Sequence, residues 1–197
     1  LSQNSMYRRG EAQALITSAM LLIALGLTQK AIANLHEGLR LSKELSLPEN
    51  SIVGRLLLAK IAIIKGEVNI SHSHLNQGLR LSQETDPEQY YWSLQALKAQ
   101  ALAYQKQGKQ AKTLLSNIEK NINKLPWPRK IETIIYSAQA CVQLENYIAA
   151  SSLAEFAYKR SADLGMWGWA FEALIVLSHH SPKKDKYKKR AQLLLQK

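Results

Sequence analysis

Gly38-Leu39-Arg40-Leu41-Ser42 recurs unchanged as Gly78-Leu79-Arg80-Leu81-Ser82, 40 residues further along the chain. Five consecutive identities at one offset mark a duplicated unit, and a period of this length is typical of stacked helical hairpins. At the same offset Gly26 matches Gly66 and Leu35 matches Leu75. The pattern predicts a third copy anchored on Gly108, 42 residues after Gly66, and a fourth anchored on Glu145, 37 residues later. Seven residues before the four anchors stand Ala19, Ala59, Ala101 and Ala138. Five residues after them come Ala31, Ser71, Thr113 and Ala150, and twelve after them Gly38, Gly78, Lys120 and Ala157. Small side chains at such positions let two helices approach to the short end of the usual spacing of about 8–10 Å. A glycine anchor lets the chain leave the first helix through a left-handed conformation. In the fourth copy Asn146 is expected to take that role.

The rest of the sequence agrees with helices. Of 197 residues 46% are hydrophobic, while Pro (5) and Gly (9) are scarce and Leu, Ala, Gln, Lys and Ile dominate, a composition that favours helix over sheet. Leu47-Pro48-Glu49-Asn50, Asp86-Pro87-Glu88 and Leu125-Pro126-Trp127-Pro128 punctuate the chain, since proline ends one helix and is tolerated in the first turn of the next. The expected hairpins are approximately 6–46, 49–85, 88–125, 128–163 and 166–197, forming one helical-repeat domain. The single cysteine, Cys141, lies in an apolar helical stretch and reads as a buried thiol. The apolar run from Ala19 to Leu27 is too short for a bilayer, which takes about 20 residues. With Arg8 and Arg9 upstream it could pass for the core of a secretory signal, but it also fits the repeat. A chain that opens on Leu1 is expected to be part of a longer protein.

The anchors and the small residues around them resemble the tetratricopeptide family. Its first helix carries a small residue where the two helices approach and ends at a glycine, and its second helix has a small residue near the start. The resemblance implies an all-α, right-handed α-α superhelix of about five antiparallel hairpins. The spacing of 37 to 42 residues exceeds the 34 of the standard repeat. Longer units of this kind resemble the sensor or regulatory domains of large bacterial transcription activators and signalling ATPases.

Chemistry is sparse. The sequence holds no phosphate-binding glycine loop of the common kinds. His72 and His74 do not share a helix face, and His179 and His180 are adjacent, so neither pair chelates a metal easily. No pair of carboxylates stands out as acid and base; Glu84, Asp86 and Glu88 flank a proline turn, where capping and solvation explain them. No catalytic residue, cofactor or metal is expected. The net charge is +11, and residues 183–197 hold seven basic residues and one acidic, about half of it. That tail could bind nucleic acid or anionic lipid, or could be the solvated face of a terminal helix resting on Tyr187, Ala191, Leu194 and Leu195. No sequence-specific nucleic-acid reader and no membrane span are expected. Trp92, Trp127, Trp167 and Trp169 read as packing between hairpins or as an aromatic ligand site.

If tetratricopeptide geometry holds, the first helices line a concave groove. Its candidate partner-binding residues are Ile16, Met20, Ile23, Leu56, Lys60, Ile63, Ile64, Lys98, Leu102, Lys106 and Gln139; the alternative is that Ile16, Ile23 and Ile63 belong to the core. Some chaperone-binding members of the family grip a terminal carboxylate with Lys and Asn pairs. Lys60 and Lys98 are present here, but Met20, Leu102 and Gln139 stand where Asn is needed, so that clamp is not carried over. The expected function is a non-catalytic, cytoplasmic protein-interaction or regulatory scaffold. It would hold a protein or peptide segment, amphipathic with acidic flanks, or a neighbouring domain of the same chain. The alternative is a ligand-sensing or autoregulatory domain of a multidomain bacterial transcription regulator.

Overall fold

The computed structural model describes residues 3–85 and 89–194. The expected Asp86-Pro87-Glu88 boundary and the tail residues Leu195 to Lys197 lie outside them. Among the described residues there is no strand, and ten α-helices follow one another: α1 (Gln3–Ala24), α2 (Thr28–Glu44), α3 (Pro48–Ile64), α4 (Val68–Thr85), α5 (Tyr91–Tyr104), α6 (Gly108–Asn121), α7 (Trp127–Gln143), α8 (Tyr147–Asp163), α9 (Trp167–His180) and α10 (Lys184–Leu194). A 3-10 turn, Ile122–Lys124, follows α6. The chain divides into two compact units, residues 1–94 and 95–197, and the division falls inside α5.

The turns explain where the helices stop. Leu27 N–H bonds to Leu22 C=O at 2.8 Å and Gly26 N–H to Ile23 C=O at 3.0 Å, the paired bonds of a Schellman turn that satisfy carbonyls orphaned at a helix end. The same two bonds close α2, α3, α5, α7 and α8 around Ser46, Gly66, Lys106, Glu145 and Gly165. All six of these residues have positive φ, between 52° and 76°. Three are glycine and three are not.

This geometry corrects the third and fourth copies. Lys106, with φ 61°, takes the left-handed position expected of Gly108, which is instead the first residue of α6. Glu145 rather than Asn146 takes it in the fourth copy, and Asn146 caps α8 by accepting a hydrogen bond from the Ala149 N–H at 3.3 Å. Aligned on Gly26, Gly66, Lys106 and Glu145, the period is 40, 40 and 39 residues. The small residue seven before the turn becomes Ala19, Ala59, Ala99 and Ala138, all 0% exposed. Five after it stand Ala31, Ser71, Ala111 and Ala150, again all 0% exposed. Thr113 and Lys120, which stand at these offsets from Gly108, are on the surface. Ala101, placed at the crossing by sequence, is buried too, two residues further along α5.

Within residues 1–94, α1 packs on α2, α2 on α3 and α3 on α4, and α1 also touches α3. Arg8 meets Glu44 at 2.6 Å and Asn34 Nδ2 donates to Ser18 Oγ at 2.9 Å, so α1 and α2 run antiparallel with Ala12, Ile16 and Ala19 facing inward. Gly38 makes that approach possible, since a Cβ there would lie 2.9 Å from Ile16 Cγ1. Enclosed by three neighbours, α3 buries nearly every apolar residue from Ile52 to Ile63. Full burial of such Leu or Ile side chains stabilises by about 1.5–3 kcal/mol each. Within residues 95–197, α7 packs on α8, α8 on α9 and α9 on α10, while α7 also touches α9. There Ile131, Ile134 and Ile135 of α7 join Ala157 and Ala173 in one core. In both units the first helices of consecutive hairpins touch each other as well as their own second helices.

Candidate functional site

The structure sorts the sequence-predicted groove residues by depth. Ile16, Leu56, Ile63 and Leu102 are 4%, 2%, 5% and 7% exposed, so they fill the interior and offer no surface to a partner. Ile16 is covered by its own second helix beneath Gly38 of α2, and Leu102 packs with Ala111 and Leu114 of α6. Ile23, Lys60, Lys98 and Gln139 are half-buried, while Met20, Ile64 and Lys106 are exposed. Lys106 belongs to a turn rather than a helix face.

What stands out is α1. Its end, Ala19-Met20-Leu21-Leu22-Ile23-Ala24, and Leu25 of the turn that follows carry no polar side chain on any side. A helix of this kind belongs in an interior. One face carries Ala12, Ile16 and Ala19 into the core. The opposite face leaves Tyr7 75%, Leu21 65% and Leu25 71% exposed, with Met20 at 41% on its flank and Ala14 and Ala24 between them. Large apolar side chains left in solvent like these mark contact sites on folded proteins. Sequence reasoning placed Met20 and Ile23 on a binding surface and missed Leu21 and Leu25. The uninterrupted apolar run 19–25 was the available signal.

Two clefts occupy equivalent places in the repeat, each between two second helices and floored by the intervening first helix. The first, of about 570 Å3, lies between α2 and α4 over the start of α3. The second, of about 620 Å3, lies between α6 and α8 over α7. Counted from the turn residues, Arg55 corresponds to Ile134, Ser51 to Lys130, Gln77 to Phe156 and Leu39 to Glu119, and all eight line their clefts. The second cleft is mainly apolar, with Leu115, Ile118, Leu153 and the exposed Phe156, rimmed by Lys112 and Lys130. Trp127 stands beside it, its ring 6.4 Å from that of Phe156, with Lys130 and Arg160 over the indole at 4.8 and 4.3 Å. Cys141 also lines it; burial raises the thiol's pKa and keeps it in the neutral, weakly nucleophilic form.

A closed polar cluster sits on α7. Glu132, 3% exposed, pairs with Arg129 at 3.0 Å and accepts a hydrogen bond from the Tyr136 hydroxyl. Tyr136 is 1% exposed, its ring edge-on to Trp169 at 6.2 Å. Burial above all, then the carboxylates of Glu132 and Glu172, hold its phenol far up in pKa and hence protonated. The cluster orients α7 against α9 and lines neither cleft. On α10, Tyr187 and Ala191 are buried while the five lysines and arginines of 184–190 face solvent. Among the described residues no group of three or more His, Cys, Asp or Glu is placed to hold a metal ion. No helix there is long and apolar enough to cross a membrane.

Comparison with protein-family models, with curated proteins and with solved structures returns no match to this chain.

Proposed function

We propose that the chain is a non-catalytic interaction scaffold in which tetratricopeptide-like hairpins stack as a right-handed superhelix and the open face of α1 docks an apolar helix face of a partner. One observation carries this reading: the last turns of α1, Ala19 to Ala24, carry no polar side chain, yet Met20 and Leu21 there are exposed. In repeat proteins an end unit that meets only water presents a polar outer face. Tyr7, Leu21 and Leu25 are the reverse of that, and at about 25 cal/mol per Å2 their removal from water is a driving force for association. The ligand is helical because the exposed residues recur at helical spacing along one straight face, matching a ridge-into-groove partner.

Site-specific photocrosslinking in cells tests this. A photoreactive residue in place of Leu21 should yield one reproducible adduct, absent when the same residue replaces the exposed Lys30 of α2 and lost when Leu25 is also changed to Glu. Equal labelling from positions 21 and 30 refutes the docking face.

A second reading, a ligand-sensing domain of a multidomain bacterial regulator, draws on the cleft of about 620 Å3 beside Trp127. A metabolite seated there would change Trp127 emission. Fluorescence of Trp127 in a chain with Trp92, Trp167 and Trp169 replaced by Phe should then respond to that metabolite and to no unrelated one. A signal unchanged across a broad panel of metabolites counts against the reading.

A further inference from the structure

We propose that the cleft between α2 and α4 is a binding site for a compact phosphate-class oxyanion, with Arg55 at its floor and Lys43 and Arg80 on its walls.

The argument starts from what Arg55 replaces. Its repeat equivalents are Leu15 in the first copy, Gln95 in the third and Ile134 in the fourth, none of them charged, and Ile134 is 4% exposed. A guanidinium set there loses hydration, and such groups are normally retained beside a carboxylate. Arg55 has none. Among the described residues its partner is His74, whose Nδ1 lies 3.2 Å from Arg55 Nη1 and accepts from it as the neutral tautomer. Desolvation alone accounts for the lowered pKa of Arg55, with no carboxylate offsetting it. The fork of donors that the guanidinium keeps is suited to oxyanions.

The walls agree in charge. Lys43 enters from the last turn of α2 and Arg80 from α4, against one acid among the described lining residues, Glu84, which lies 3.8 Å from Arg80 across an exposed edge. The equivalent cleft over α7 carries Lys112 and Lys130 at its rim but has Ile134 at the floor and Glu119 and Asn123 on the α6 side, so the cation at the floor sets this cleft apart from that one. The site is therefore separate from the α1 face and does not depend on what docks there. A phosphate monoester or free phosphate fits the space and sign; a polyanion's long backbone would need a track of cations, whereas the three here converge on one cleft.

The test uses the full chain with inorganic phosphate against chloride at equal ionic strength and pH 7.5. Phosphate at about ten times its dissociation constant should raise the thermal midpoint by roughly 2–5 °C. Arg55→Gln should weaken binding at least about tenfold. Arg55→Leu, which restores the residue type of the first copy, should abolish the phosphate response while the far-ultraviolet circular dichroism stays helical. Should either variant fail to fold, Lys43→Gln with Arg80→Gln at the exposed rim should weaken phosphate binding, whereas Arg9→Gln on α1 should not. A wild-type chain that gains no stability from phosphate, or an equal gain in Arg55→Leu and the rim double variant, overturns the proposal.

Discussion

Gly38 and Gly78 occupy the same place in two copies of the repeat, and alanine should act oppositely at the two. In a helix interior Gly→Ala gains about 1 kcal/mol of intrinsic propensity. At position 38 the new Cβ would lie 2.9 Å from Ile16 Cγ1 and 3.4 Å from both the Ala12 carbonyl oxygen and Leu15 Cβ. Cγ1 is bonded directly to a β-branched carbon, and in a helix such a residue has one strongly preferred χ1, so it cannot swing aside. Overpacking of this kind costs about 1–3 kcal/mol, giving a net loss of roughly 0–2 kcal/mol for Gly38→Ala. At position 78 the nearest atoms are the Leu94 Cδ methyls, at 3.1 and 3.3 Å, the free ends of a side chain with two rotatable bonds. Gly78→Ala should therefore be neutral or stabilising by up to about 1 kcal/mol. Both residues lie in the unit of residues 1–94, so urea unfolding can compare them within one transition. A double-mutant cycle with Ile16→Ala should show coupling of about 1 kcal/mol, because removing Cγ1 relieves the overlap. If Gly38→Ala proves as stable as Gly78→Ala, or the cycle shows no coupling, the close approach of α1 and α2 at Ile16 is wrong.

Three further outcomes are expected. Gly26→Ala and Gly66→Ala should each lose about 1–2 kcal/mol by forcing a Cβ into the left-handed region. Lys106→Gly should instead be neutral or gain up to about 1 kcal/mol, and chemical denaturation measures all three. His74 is held below the ordinary histidine pKa, first by burial and then by Arg55 and His36. The unfolded chain therefore takes up this proton at higher pH than the folded one. The stability that His74 contributes is present above the unfolded value of about 6.5 and declines as pH falls below it, and His74→Gln should flatten that slope in denaturation curves. Cys141, buried and raised in pKa, should react with a thiol reagent at neutral pH far more slowly than in the urea-unfolded chain. Native labelling at the unfolded rate would show that its burial is wrong.

The sequence by itself determined the helices, the hairpin punctuation and the small residues at the crossings. Each follows from local rules: proline cannot continue a helix, and a crossing needs a side chain no larger than alanine or serine. Its error in the third copy has a local cause too. Gly108 was taken as the turn because glycine is the residue that adopts positive φ without cost, but Lys106 and Glu145 adopt it at a cost of about 1–2 kcal/mol that the two Schellman hydrogen bonds and the packing around them offset. Only tertiary structure decided which apolar residues are hidden. Ile16 and Met20 both read as groove residues of α1, yet one meets α2 beneath Gly38 and the other is 41% exposed. Arg55 is alike in this respect: its sequence neighbours do not reveal that it stands at the floor of a cleft where the fourth copy has Ile134, because burial is set by elements about 20 residues away in the chain rather than by the residues beside it.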